Sequence, residues 1–316
     1  MSRKLHLQEI PLHDPFVFAC EKTQTYYLYN SARIMAEDKL DRFGVKVYTS
    51  TDLINWEPPR IVFEIPDGIW ANPKHGAWAP EVHLYQGRYY LFVTLHNRDR
   101  IMKQPPQSRE LNHWRGTVIA VSDSLFGPFK LLKTDEPYPH GEFMTLDGTL
   151  FVDEFDQPWM VYCHEWVQIL DGTVEAVKLQ PDLAGTIAEP IHLFKGSDAP
   201  WINAERVPEA REYIYVTDGP QLYRTYRDEL LMLWSSYNRD GYVQTLARSE
   251  TGKLEGPWVQ LEPLVYEDSG HGMLFQTFKR ELMLILHSPF EMPRSRAHIY
   301  RMEDTGTNLN VIERII

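Results

Sequence analysis

Cysteine is nearly missing from this chain. The two residues, Cys20 and Cys163 in 316, are too few for a disulfide framework, and neither has the spaced partners of a structural zinc site. Long apolar runs are missing too: strips such as 282–286 are strand-sized, far below the ~18 apolar residues of a membrane helix. Positive charge is in deficit, with 32 Lys and Arg against 44 Asp and Glu. The resulting net charge of −12 speaks against a partner with a phosphate backbone. Residues 1–8 contain no apolar signal core, so the chain as written reads as cytoplasmic; a secreted or periplasmic chain trimmed of its leader would read the same. Helix signals are scarce: residues 205–212 make at most a turn before Pro208 breaks it. There is no phosphate-binding P-loop and no Gly-x-Ser-x-Gly elbow. Gly270-His271-Gly272 lacks the third glycine of a dinucleotide fingerprint. His164-Glu165 is not a zinc-protease helix, because Gln168 stands where the second histidine belongs.

Aromatic residues, by contrast, are abundant. They make up 13% of the chain, with 17 Tyr and 9 Trp. Short apolar strips recur, beginning at residues 25, 88, 157, 229 and 281. Each strip is bounded by polar or turn residues and is preceded by another strip and a turn, the pattern of a hairpin. A third strip follows most hairpins, at 45–52, 118–123 and 243–250, and then an aromatic suited to pinning an outer strand: Trp56, Phe129 and Trp258. Three or four strands recurring about every 60 residues make a propeller blade, a unit that cannot bury both of its faces alone. The expectation is an all-β chain forming one five-bladed β-propeller domain over residues 1–316. A β-sandwich with insertions, the alternative, predicts no such register.

Each blade opens on a short motif nine to eleven residues ahead of its central strip: Asp14-Pro15, Ala79-Pro80-Glu81, Asp147-Gly148, Asp218-Gly219-Pro220 and His271-Gly272. The innermost strand of a blade lines the axial channel and its first residue faces the mouth. Three carboxylates and a histidine, from four blades, are therefore expected to converge on one funnel. Taken singly, each has a plainer explanation, since Asp before Gly or Pro is a common turn former and a lone His is usually packed in a core. Recurrence at one position of the blade outweighs this and marks Asp14 and Asp147 as a functional pair. Two carboxylates in an aromatic-rich funnel suit hydrolysis of a glycosidic bond: one activates water while another protonates the leaving oxygen. Carboxylates on different blades leave room for that water, which is the inverting arrangement. Phe16, Trp78 and Trp166 are candidates for stacking on sugar faces.

In order and spacing, these motifs resemble glycoside hydrolase family 43 over nearly the whole chain. The carriers are His13-Asp14-Pro15-Phe16, Trp78-Ala79-Pro80-Glu81, Leu146-Asp147-Gly148-Thr149-Leu150-Phe151, Asp218-Gly219-Pro220, Gly270-His271-Gly272 and His287-Ser288-Pro289. The resemblance implies a five-bladed propeller acting on oligosaccharides or plant-polysaccharide fragments. It implies Asp14 as general base, Asp147 as the carboxylate that tunes and orients the acid, and the blade-four carboxylate as general acid. It also implies that His271 lies on the channel axis, beside a calcium or sodium ion not required for the chemistry, and that Arg296 reaches the pocket floor. The family's acid is normally the Glu of Glu-Gly-Pro, whereas this chain has Asp218, one methylene shorter. Glu165, in Cys163-His164-Glu165-Trp166, competes for the role.

Within the family, an exo-acting enzyme releasing a terminal pentose is expected, an α-L-arabinofuranosidase ahead of a β-xylosidase or β-galactofuranosidase. Long insertions at 98–116 and 197–212 favour a closed pocket. Two other classes compete. A carbohydrate-binding propeller would have lost catalysis at Asp218. A glycoside phosphorylase would need a basic cluster in the funnel, for which Arg296, Arg206 and Arg294 are the candidates. Neither a nucleic acid nor a membrane is an expected partner.

Overall fold

The structure is a computed structural model that describes residues 3–35, 41–103, 111–203, 205–207 and 212–316. It is a five-bladed β-propeller. Each blade is an antiparallel four-stranded sheet whose strands follow one another in sequence from the axis outward. Blade one comprises Phe16–Cys20, Thr25–Met35, Asp41–Ser50 and Arg60–Glu64. Blade two comprises Ala77–Tyr85, Arg88–Ile101, His113–Ser122 and Lys130–Leu131. Blades three and four are built from Thr145–Val152, Pro158–His164, Thr173–Lys178 and Ile191–Lys195, and from Asp218–Arg224, Leu230–Asn238, Gly241–Ser249 and Trp258–Gln260. Blade five ends the chain with Gly270–Gln276, Leu282–Ser288, Arg296–Asp304 and Leu309–Arg314.

The five apolar strips read from the sequence are the second strands of the five blades, and their burial on both faces explains why they run apolar rather than alternating. The cores lie between blades. Phe92 and Ile119 of blade two meet Met160 and Tyr162 of blade three. Val161 and Val174 of blade three meet Met232 and Trp234 of blade four, and Leu233 of blade four meets Leu284 and Leu286 of blade five. A larger cluster joins blades five, one and two. The aromatics expected to pin outer strands are buried. The Trp56 and Trp258 indoles donate to the carbonyls of Leu53 (3.0 Å) and Leu254 (2.9 Å) in the preceding turns.

Among the described residues no strand is shared between the first and last blades, and segment 5–12 adds to the core that joins them. Leu5–His6 pairs with Asn55–Trp56, and Leu7, Ile10 and Leu12 are buried. The Leu12 amide donates to the Ser295 carbonyl (3.3 Å) and the Gln8 side chain to the Ala297 carbonyl (2.7 Å). One expectation is corrected here. Where the sequence suggested at most a helical turn, Glu205–Val207 and Glu212–Ile214 pair as a small antiparallel hairpin; residues 208–211 lie outside the described residues. Among the described residues, no helix is long and apolar enough to cross a membrane.

Candidate active site

Four of the five inner strands begin with the same irregularity. In blades two to five, two residues of the inner strand oppose one of its neighbour: between Trp78 and Glu81, Leu146 and Thr149, Asp218 and Gln221, Gly270 and Met273. The residue at the first bulged position is left-handed, with φ of 43° at Ala79, 55° at Asp147, 53° at Gly219 and 48° at His271; Asp14, with φ 48°, precedes the inner strand of blade one in the same way. A bulge re-aims a side chain, and here it turns Asp147 and His271 to the axis, while the left-handed backbone of Asp14 does the same ahead of the regular inner strand of blade one. Blade four departs from the sequence reading by one residue: Gly219, not Asp218, occupies the repeated position. Asp218, one residue before that position and paired with Ser235, still brings its carboxylate to within 3.9 Å of His271 Nδ1.

The left-handed residues are held from the preceding blade. The amide of Asp147 donates to Thr94 Oγ1 (2.9 Å), that of His271 to Ser235 Oγ (2.8 Å), and that of Asp14 to His287 Nδ1 (3.2 Å). Thr94, Ser235 and His287 are equivalent positions, each paired with the residue before its own blade's bulge. The following amides are held likewise, Gly148 N–H by Thr117 Oγ1 (2.9 Å) and Gly272 N–H by Gln244 Oε1 (2.5 Å).

The result is a carboxylate cluster around one imidazole. His271 Nδ1 lies 3.3 Å from Asp14 Oδ1, 3.7 Å from Asp147 Oδ2 and 3.9 Å from Asp218 Oδ1. Asp147 Oδ2 also accepts from the Gly219 amide (3.1 Å), and Asp218 Oδ2 accepts from the Tyr242 hydroxyl (2.7 Å). The electrostatics divide the three carboxylates. Burial pushes Asp14 up, but His271, His287 and His13 outweigh it and hold its carboxyl below the ordinary value. Burial raises Asp147 to about 7, with repulsion from Asp14 adding to it. Burial and then repulsion from Asp147 push Asp218 well above the usual carboxylate range. Two buried carboxyls this close retain a proton between them.

Glu165 lies elsewhere in the wall. It follows the second strand of blade three and forms a buried ion pair with Arg115, both of its oxygens accepting from Nη1. Arg115 in turn donates to His96 Nδ1 (3.2 Å) and lies over the Trp78 ring, 4.9 Å from its centre. Trp78 meets His96 edge-on and stays 37% exposed, an aromatic surface beside the bulge of blade two. Trp166 is half-buried at the start of the short helix Trp166–Ile169. Two expected roles are corrected. Phe16 is buried edge-to-face on His83, so its ring belongs to the channel wall rather than to a sugar platform. Arg296 does not reach the pocket floor: its guanidinium donates to the carbonyls of Gln8, Pro293 and Ser295 at the ring closure.

The space inside the cluster, lined by Phe16, Glu81, Gly219, His271 and Met273, measures about 10 Å³. That admits roughly one water. Asp14 and Glu81 both border it, Glu81 engaged by His83 at 2.8 Å, and the His271 Nδ1 faces the carboxylates. Asp147, Asp218 and His271 offer ligand atoms within 4.8 Å of one another, as do His13, Asp14 and His287, so these are the groups that could hold an ion. For a phosphate-binding cluster the described residues offer little: Arg294 is exposed on Glu291, and the Arg206 side chain lies outside them. The insertions read as closing the pocket include undescribed stretches at 104–110, 204 and 208–211.

Arg115, His96, Tyr242 and the amide-holding side chains other than His287 were not singled out from sequence. For Thr94, Ser235 and His287 a signal existed, since each ends one of the apolar strips on a polar residue. For Arg115 and Tyr242 there was none.

An endo-arabinase from Bacteroides thetaiotaomicron VPI-5482 superposes with a TM-score of 0.83 at 34% identity, over 98% of this chain and 100% of that one. The extracellular endo-α-(1→5)-L-arabinanase 1 of Bacillus subtilis (strain 168) is 23% identical over 200 residues, 57% of this chain and 54% of that enzyme. A xylosidase/arabinosidase 43A of Humicola insolens is 25% identical over 150 residues, 44% of this chain and 40% of that enzyme. The matches thus span about half or less of these two relatives. The model of the glycosyl hydrolases family 43 matches residues 9–303, the stretch that carries all four bulges and Asp14, and the chain belongs to that family.

Proposed function

We propose that this protein is an inverting, endo-acting glycoside hydrolase that cleaves α-1,5-linked L-arabinan. The observation that carries the chemistry is the convergence of Asp14, Asp147 and Asp218 on His271, with Asp14 held below the ordinary carboxylate value and the other two above it. Carboxyls pushed apart in this way divide the roles of base and acid. Asp14, ionised, takes a proton from water as the water oxygen bonds to the anomeric carbon. The glycosidic C–O bond breaks, and its oxygen receives the proton of Asp218. Asp14 ends protonated and Asp218 ionised, and exchange with solvent resets both. Asp147, sharing a proton with Asp218, keeps the acid loaded near neutrality. Glu165 is a poor donor, because both of its oxygens are engaged by Arg115. It fixes the guanidinium under Trp78.

Endo-action on arabinan departs from the exo-acting expectation. It is supported by the names of the Bacteroides and Bacillus relatives; the insertions that suggested a closed pocket are only partly described. The test is a time course on debranched α-1,5-arabinan followed by chromatography and ¹H NMR. A ladder of oligosaccharides appearing before arabinose, with the β-anomer formed first, is the expected result. Arabinose as sole early product would make the enzyme exo-acting, α-anomer first would remove inversion, and absence of turnover would leave a carbohydrate-binding propeller.

A further inference from the structure

We infer that Tyr242 is a positioning residue for proton donation, fixing the carboxyl of Asp218 so that its proton sits on Oδ1, the oxygen facing the axis. The inference rests on the assignment of Asp218 as the donor. Tyr242 lies in the third strand of blade four, fully buried, and its hydroxyl donates to Asp218 Oδ2 at 2.7 Å. Burial, then Asp218, pushes the phenol well above its usual range, so it stays a donor. With Oδ2 engaged by a donor that does not leave, the proton of the acid belongs on the other oxygen. That oxygen, Oδ1, faces His271 Nδ1 at 3.9 Å.

The ring is fixed independently of this bond. It stacks on His287 with centroids 5.7 Å apart and planes 17° from parallel, and it meets Phe290 and Tyr237, each at 5.0 Å. Blade five has a glycine where the ring passes: a Cβ on Gly270 would stand 2.4 Å from Tyr242 Cε1. The phenol thus reaches Asp218 from a rigid site, which suits an acid with a short arm. An aspartyl carboxyl turns about one bond, and a single donor on one oxygen orients it.

Facing Asp218 are Asp147 from blade three, His271 from blade five and Tyr242 from its own blade, with Cys163 and Asp14 in the surrounding field. Of these, Tyr242 is the one that donates to the ionised form without changing charge. Removing it makes the acid hold its proton more tightly. Tyr242→Phe, which keeps the ring packing, is therefore expected to lower kcat on arabinan on the order of tenfold with little change in KM. The loss should shrink on aryl α-1,5-arabinobiosides as the leaving group improves toward dinitrophenol, and the alkaline limb of the pH profile should rise by about one unit. 3-Fluorotyrosine at position 242, a stronger donor of nearly the same shape, should move that limb down and serves if the Phe variant folds poorly.

Equal losses on all leaving groups, or an alkaline limb that stays in place, would reduce Tyr242 to packing. Asp218→Asn run in parallel separates the two levels. If it spares dinitrophenyl substrates while Tyr242→Phe leaves the limb unmoved, the donor stands and the positioning role falls. If Asp218→Asn spares nothing, the donor assignment itself is wrong.

Discussion

At the scale of single residues, the site depends on carboxyls of one chemical type with opposed tendencies. Asp14 is surrounded by imidazoles, whereas Asp147 and Asp218 face each other in a buried space. Asp14→Asn is expected to lower kcat by roughly 10²–10⁴-fold and, unlike Asp218→Asn, to gain nothing from an activated leaving group; full activity would remove Asp14 as the base. Asp147 also affects stability. Its folded value of about 7 lies above the ordinary value of 3.8, so between these the folded state binds the extra proton. The stabilisation is complete below pH ~4 and lost as pH rises through ~7. Asp147→Asn should therefore flatten the stability profile and gain about 1–3 kcal/mol at pH 8, measured by urea unfolding across pH, while losing activity. A variant no more stable than wild type at pH 8 would show that Asp147 ionises without strain. Asp14, Asp147 and His271 were legible in the sequence because acidic or imidazole residues recur where a blade opens. Tyr242 and Arg115 were not: each acts through a contact with another blade or a strand neighbour, and such contacts leave no periodic trace.

At the scale of the strand, the recurring element is a bulge held by a hydroxyl or imidazole from the blade before. The second strands were legible as apolar strips, because burial on both faces removes polar residues from them. The bulges were not, since one extra residue in an inner strand changes no hydrophobic period. For that reason blade four was read one residue out of register, with Asp218 taken for the position that Gly219 holds. The holding side chains make a sharp test. Thr94→Val keeps the shape and leaves the buried Asp147 amide without its acceptor. A loss of about 1–3 kcal/mol in stability is expected, with a fall in kcat as Asp147 loosens from Asp218. Ser235→Ala should act in the same way on His271. If both variants melt and turn over like wild type, the bulges are held by their own backbone geometry and the hydroxyls are incidental.

At the scale of the whole molecule, the propeller is a ring with one atypical joint. Four interblade contacts join blades consecutive along the chain; the fifth joins its beginning to its end, and there segment 5–12 and Arg296 do the closing. Arg296→Met removes the donors to Gln8, Pro293 and Ser295 and is expected to cost about 1–3 kcal/mol. Faster amide exchange should be confined to blades one and five. Exchange rising evenly around the ring would mean that the joint carries no special load. Asp14 stands only two residues beyond Leu12, whose amide is bonded to Ser295, so the residue proposed to activate water hangs from the clasp of the ring. Under rising denaturant, catalysis should then fail before the bulk of the strands melts: inactivation midpoints would fall below those read by circular dichroism, and the enzyme would report its own first tear.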